Sequence, residues 1–215
     1  MKKYLFSVIF LIILNTSVRA EGRLGVRFLP GISYSSVTTK DPNDKMRSIG
    51  SHFDFQVGLF GEKEMRENLC LSLGLLYASE QASVESSTPA IPVCEKHDLS
   101  YLNIPLTLKL YTEEIALDTT LSFELGAVAK VKLTDQLIEK AKDKTQLILK
   151  FNSIGCDFLF GACVDYQIGT TTSVFGGIMF QLGLINIIND QNKVPNLSET
   201  SVKNHFIAFN FGFRF

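Results

Sequence analysis

The sequence predicts an all-β, eight-stranded antiparallel up-and-down transmembrane β-barrel, and three observations predict it. Large apolar residues take every second place in eight separate segments. The connections between those segments alternate strictly between long and short. A secretory leader precedes them all.

The leader is "MKKYLFSVIFLIILNTSVRA". Lys2 and Lys3 form a basic tip, and an apolar run of 11 residues from Tyr4 to Leu14 is broken only by Ser7. Val18 and Ala20 then occupy the two small-residue places before a cleavage point. A helix needs about 20 apolar residues to span a bilayer, so this run is too short for an anchor. Residues 1–20 are therefore read as a signal peptide and 21–215 as the barrel domain. Without Lys2, Lys3 and Arg19, 18 basic residues face 22 acidic ones, a net charge of −4. That balance, with no basic run, gives no footing for nucleic acid. Charged residues make up 20% and hydrophobic ones 46% of the chain, too apolar for disorder.

Along the exported part, Leu24, Val26 and Phe28 alternate with Arg23, Gly25 and Arg27. Phe53, Phe55, Val57 and Leu59 alternate with His52, Asp54, Gln56 and Gly58. Leu69 to Tyr77 places five large residues opposite Cys70, Ser72 and Gly74. Leu102, Ile104, Leu106, Leu108 and Leu110 oppose Tyr101, Asn103, Thr107 and Lys109. Leu121 to Val131 opposes Ser122, Glu124, Gly126, Lys130 and Lys132. Ile154, Cys156, Phe158, Phe160, Ala162 and Val164 oppose Gly155, Asp157, Gly161, Cys163 and Asp165. Val174, Ile178, Phe180, Leu182 and Leu184 oppose Gly177, Gln181 and Gly183. The eighth segment, "NHFIAFNFGFRF", sets Ile207, Phe209, Phe211, Phe213 and Phe215 against Ala208, Asn210, Gly212 and Arg214. Pro105 lacks an N–H, and a closed sheet has no edge to hold it, so a bulge is expected there.

Long connections are expected over 35–50, 80–97, 134–150 (with a short helix in "DQLIEKAKDK") and 189–203. The short ones are "EKEMREN", "TEEIALD" and "QIGTTT". In an up-and-down barrel this rhythm puts every long loop at one end, as in outer-membrane barrels, with both termini at the other. The large face needs lipid or a second layer to cover it, because about 25 cal/mol is lost per Å² of apolar surface left in water. The opposite face is rich in small residues, among them Gly25, Gly58, Ser72, Gly74, Ser122, Gly126, Gly161, Gly183 and Gly212. Between them stand Arg23, Arg27, Lys109, Lys130 and Arg214 against Asp54, Glu124, Asp157 and Asp165. Mixed signs in so narrow a lumen predict paired charges and a plugged interior.

"YLNIPLTLKLY" (Tyr101–Tyr111) resembles the proline-containing strand of the PorT-like outer-membrane β-barrel family. "GVRFLPGIS", "FQVGLFGEKEMRENLCLSLGLLYASE" and "FNFGFRF" also fit that family's pattern, so the resemblance spans nearly the whole exported chain. Cys163 in the interior departs from it. The resemblance implies an eight-stranded barrel in the bacterial outer membrane without implying one activity, and no functional residue is carried over. A terminal phenylalanine on an alternating strand also resembles the signal read by barrel-insertion machinery.

No catalytic, cofactor-binding or metal-ligating set stands out. His52, His97 and His205 all fall at long-loop ends of strands, the first two facing inward and the last outward by parity. Asp157 and Asp165 share a face but stand eight places apart, about 26 Å at 3.3 Å per residue, too far for a carboxylate pair. Cys70, Cys94, Cys156 and Cys163 lack metal-ligand spacing and are read as unpaired, with Cys156 facing lipid. The expected function is structural or interactive, through long extracellular loops, with no catalysis and no cofactor. The expected partners are outer-membrane lipid, the barrel-assembly machinery and an extracellular or envelope protein. The alternatives are an outer-membrane hydrolase of lipid A or peptide type, with its site at the extracellular rim, and a narrow solute channel or secretion-apparatus accessory.

Overall fold

Strict alternation gives each strand one face of large apolar residues and one of small or polar ones, and the small face can curl inward. The computed structural model describes residues 22–38, 46–48, 50–88, 91–140, 151–188 and 201–215. The predicted leader lies outside them, as do the boundary at 21 and most of the connection over 189–203. In chain order the strands are β1 (Gly22–Thr38), β2 (Met46–Ser48), β3 (Ser51–Arg66), β4 (Leu69–Thr88) and β5 (Ile91–Tyr111). They continue with β6 (Thr119–Lys140), β7 (Ile154–Gln167), β8 (Ser173–Gly183) and β9 (Ser201–Arg214). β2 is a short addition that pairs with the outer part of β4. The other eight each pair antiparallel with their neighbours in sequence, and β1 with β9 closes the barrel.

The seam is regular. Gly25 opposes Arg214, Val26 opposes Phe213 and Phe28 opposes Phe211. Leu24 and Phe215 exchange backbone hydrogen bonds of 2.9 and 2.8 Å. The terminal strand therefore closes the barrel beside Val26, as its alternation predicts. The tight turns at Glu67–Asn68, 112–118 and 168–172 all lie at this end. Asn68 and Asp118 take positive φ values of 65° and 54° in two of them, a conformation that asparagine and aspartate tolerate well.

Burial runs inside out relative to a soluble sheet. Leu59 is 63% exposed and Phe209 59%, whereas Arg27 is 1% and Lys109 0%. The outward faces match the sequence parity on every strand. Outward rings pack on one another, with Phe160 and Phe180 stacked at 4.9 Å between centroids. Aromatics ring both rims: Tyr34, Phe53 and Tyr77 at one end, Tyr166, Phe213 and Phe215 at the other.

Several expectations change. The stretch over 80–97 is not a loop: β4 runs on to Thr88 and β5 begins at Ile91, so the two strands continue as a paired hairpin. Its Ser, Val and Glu residues zip together because each strand templates the other, an option that proline-based loop reading overlooks. No helix begins at Asp135, since β6 continues to Lys140 against β5; residues 141–150 lie outside those described. Strands β4, β5 and β6 thus span 20, 21 and 22 residues, about twice the length a bilayer requires. Pro105 makes no bulge. It opposes Val128 in unbroken register, and its ring sits over Gly74, where an added Cβ would come within 2.8 Å of the ring. Leu73↔Leu106 and Leu76↔Asn103 keep one register across the gap, so the missing N–H interrupts the ladder without inserting a residue.

Candidate functional site in the barrel interior

An eight-stranded barrel has an interior about as wide as the side chains that fill it, so its chemistry is set by layers of inward residues. At the short-turn end Glu62 on β3 is the hub. It accepts hydrogen bonds from Lys109 Nζ at 2.8 Å, Tyr111 Oη at 2.9 Å and Arg214 Nη1 at 3.1 Å. Arg214 also donates to the Tyr111 hydroxyl and pairs with Asp165 at 3.2 Å. Ser122 donates to Asp165 from the neighbouring strand.

One layer further in, Arg27 forks onto both oxygens of Glu124 at 3.1 Å each, and the Thr107 hydroxyl adds a 2.7 Å bond to the same carboxylate. The cations also lie over rings: Arg27 Cζ is 4.7 Å from the centre of Phe60, and Lys109 Nζ is 5.0 Å from Phe175. Those rings meet edge to face at 5.6 Å. They fit because the strands beside them carry glycine. A Cβ on Gly212 would lie 2.3 Å from the Phe175 ring and 2.2 Å from the Val26 carbonyl.

The middle of the barrel is apolar: Leu29, Leu76, Val128, Leu159, Met179 and Phe206 form one buried cluster. Beside it Gln56 and Gln181 exchange amide hydrogen bonds of 3.0 and 3.2 Å. Above it Lys130 binds both oxygens of Glu80 at 2.6 and 2.8 Å, with Asp157 at 3.3 Å and the Tyr101 ring centre at 4.8 Å. Asn204 donates to Glu80 at 3.0 Å. At the long-strand end a second apolar cluster, including Leu99, Tyr101, Phe151 and Val202, covers this layer. His97 Nδ1 lies 3.1 Å from Asp135, which also pairs with Lys132 at 3.1 Å.

The charges that parity places inside are therefore paired: Arg27 with Glu124, Lys130 with Asp157, Arg214 with Asp165. Asp54 instead accepts from Ser33 and from the Gln81 backbone at 3.2 Å. Arg23 stands at the short-turn mouth instead of in the lumen, because it is the second residue of its strand. Asp157 and Asp165 sit in different layers, as their spacing requires. His97 faces inward and is buried, His52 shares the inward face of β3 with Asp54, and His205 lies outward with its ring 5.1 Å from Tyr34. Cys70, Cys156 and Cys163 are free thiols, and Cys163 accepts a hydrogen bond from Asn210 at 3.2 Å. The Cys94 side chain lies outside those described. Sequence reading missed the two most connected acids, Glu62 and Glu80, by assigning both to loops. Parity carried four places beyond Gly58 and Leu76 would have turned both inward.

The short-turn mouth holds a cavity of about 760 Å³, lined by residues of all eight barrel strands and of the turns. Among the described residues no group of three His, Cys, Asp or Glu has metal-binding geometry.

Comparison with known proteins agrees with this architecture. The family described as outer membrane protein beta-barrel domain matches residues 15–189, and β9 supplies the closing strand beyond that match. No curated protein sequence matches the chain. Among solved structures, the outer membrane protein OprG from Pseudomonas aeruginosa is 14% identical with a TM-score of 0.56, covering 90% of this chain and 96% of its own. Neisserial surface protein A is 13% identical with a TM-score of 0.44, covering 90% and 98%. The first of these shows a shared fold.

Proposed function

Because the chain belongs to the outer membrane protein β-barrel domain family, we propose that this bacterial outer-membrane barrel is an interaction scaffold, closed to solutes and without catalytic activity. It presents its β4–β6 extension to extracellular or envelope proteins. The observation that carries this reading is the contrast between lumen and rim. Inside, each cation is bound by carboxylates or stacked on rings, and an apolar layer separates the charged layers around Glu62 and Glu124 from the one around Lys130. Outside, β4 has 20 residues, which at about 3.3 Å each and a tilt of about 45° rise roughly 47 Å, against an apolar band of about 25 Å. The excess is a paired sheet standing clear of lipid, a firm backbone platform on which recognition loops are held. Within the family, the Tyr101–Tyr111 segment supports grouping with the PorT-like barrels, and insertion would use the barrel-assembly machinery through the Phe-rich β9.

The test has two parts. Purified protein in planar bilayers gives no steady single-channel conductance; a stable open level would overturn the closed-lumen reading. Replacing residues 82–96 by a two-residue turn leaves the heat-dependent gel shift intact but abolishes cross-linking to surface partners on whole cells. Unchanged cross-links would overturn the scaffold reading.

A further inference from the structure

We propose that the cavity at the short-turn, periplasmic mouth is a binding site for a lysine- or arginine-bearing peptide segment of a periplasmic protein. This site is separate from the extracellular platform. Its volume of about 760 Å³ lies within the range of ligand pockets, and it is concave. Its wall carries Glu64, Glu113, Glu114, Asp118 and Asp165 against only Arg23 and Arg214. Arg214 and Asp165 pair at 3.2 Å and offset each other, so the field reaching a ligand is set by Glu64, Glu113, Glu114 and Asp118 against Arg23. Hydroxyls of Thr120, Thr170, Thr171 and Thr172 supply further acceptors.

An independent observation points to an occupant. Ser173, on the inward face of β8, is 6% exposed and lines this cavity, yet its Oγ has no hydrogen-bond partner. A buried hydroxyl left unpaired is costly, whereas an ammonium or guanidinium entering the cavity would satisfy it. The floor is built, not adventitious, since Tyr111, Asp165 and Arg214 are locked to the Glu62 hub described above. The rim is fixed by backbone: Gln167 N–H donates to Asp118 at 2.8 Å and Tyr111 N–H to Asn68 at 2.8 Å. A short extended peptide fits this volume and can place two cations against carboxylates on opposite walls.

The experiment is a fluorescence-anisotropy titration of the refolded full-length exported chain in detergent with a labelled Lys-Ala-Lys-Ala peptide. Saturable binding is expected, weakened by salt. The E113Q/E114Q/D118N variant should bind about tenfold more weakly, since three exposed charge contacts are lost. Asparagine tolerates the positive φ of Asp118, so the turn survives the change. Ser173→Ala removes a hydroxyl with no partner in the free protein, so it should keep the unfolding midpoint and still weaken the peptide several-fold. Unsaturable binding, equal affinity for a Glu-Ala-Glu-Ala peptide, or unchanged affinity in the triple variant would overturn the site. Equal affinity for spermidine would overturn the peptide as occupant. None of these outcomes bears on the conductance or surface cross-linking of the barrel.

Discussion

At the scale of single residues, the interior depends on charges that cannot lose one partner. Arg27 is 1% exposed and Glu124 is 3%, and their pairing is two-pronged. Glu124→Ala leaves a buried guanidinium without its carboxylate, which costs about 3–5 kcal/mol in such sites. Arg27→Met with Glu124→Leu removes both charges and should recover most of that loss, read as the urea midpoint of the barrel refolded in vesicles. Glu62→Ala should be more damaging still, because it strands Lys109 and takes one of the two carboxylates from Arg214, leaving Asp165. The sequence made this network half legible. Alternation gives the inward side of every residue, so Arg27, Glu124, Lys130 and Asp157 can be named in advance. Pairing across the lumen joins residues up to 152 positions apart, and only the strand stagger says which cation meets which acid.

At the scale of the element, Pro105 shows how the barrel tolerates a residue that sheets usually exclude. A bulge was the expected remedy, yet the neighbouring strand supplies Gly74 instead, and the proline ring fills the space that a side chain there would take. Alternation revealed the small residue on β4 but not that it lies opposite the proline, since that depends on register between strands. Gly74→Ala should therefore destabilise by about 1–3 kcal/mol through overpacking. Gly74→Ala combined with Pro105→Ala should cost less than the sum of the single changes, a coupling read by a double-mutant cycle. Additive effects would place the two residues out of contact. The closing strand is more legible. Its alternation and its place beside Val26 follow from the count of segments, and β9 supplies every hydrogen bond on one side of β1. Deleting Phe211 to Phe215 should leave β1 unpaired at the seam and block insertion, seen as loss of the surface-exposed, heat-modifiable species.

At the scale of the whole molecule, the loop lengths were misjudged where strands outgrow the membrane. Periodicity weakens past Ala78 on β4 and Leu133 on β6 because those segments leave lipid, and their two faces no longer need to differ. The lipid-facing band itself is the most legible feature of the chain, and it inverts the usual meaning of exposure. Leu125 on β6 is 53% exposed and Leu117 in the β5–β6 turn 85%. In a soluble protein a charge at either would be harmless. Leu125 lies six residues above the start of β6 at Thr119, about 14 Å along the barrel axis at 3.3 Å per residue and a 45° tilt. That is close to the middle of an apolar band about 25 Å tall. Leu125→Arg should then cost about 2–4 kcal/mol, whereas Leu117→Arg, beyond the band, should cost no more than about 1 kcal/mol. Urea unfolding of both variants in vesicles measures the difference directly. The gap should vanish for an outward face bathed in water and persist for one that faces acyl chains. Small and equal effects would therefore refute the lipid-facing assignment, from which the rest of the exterior is read.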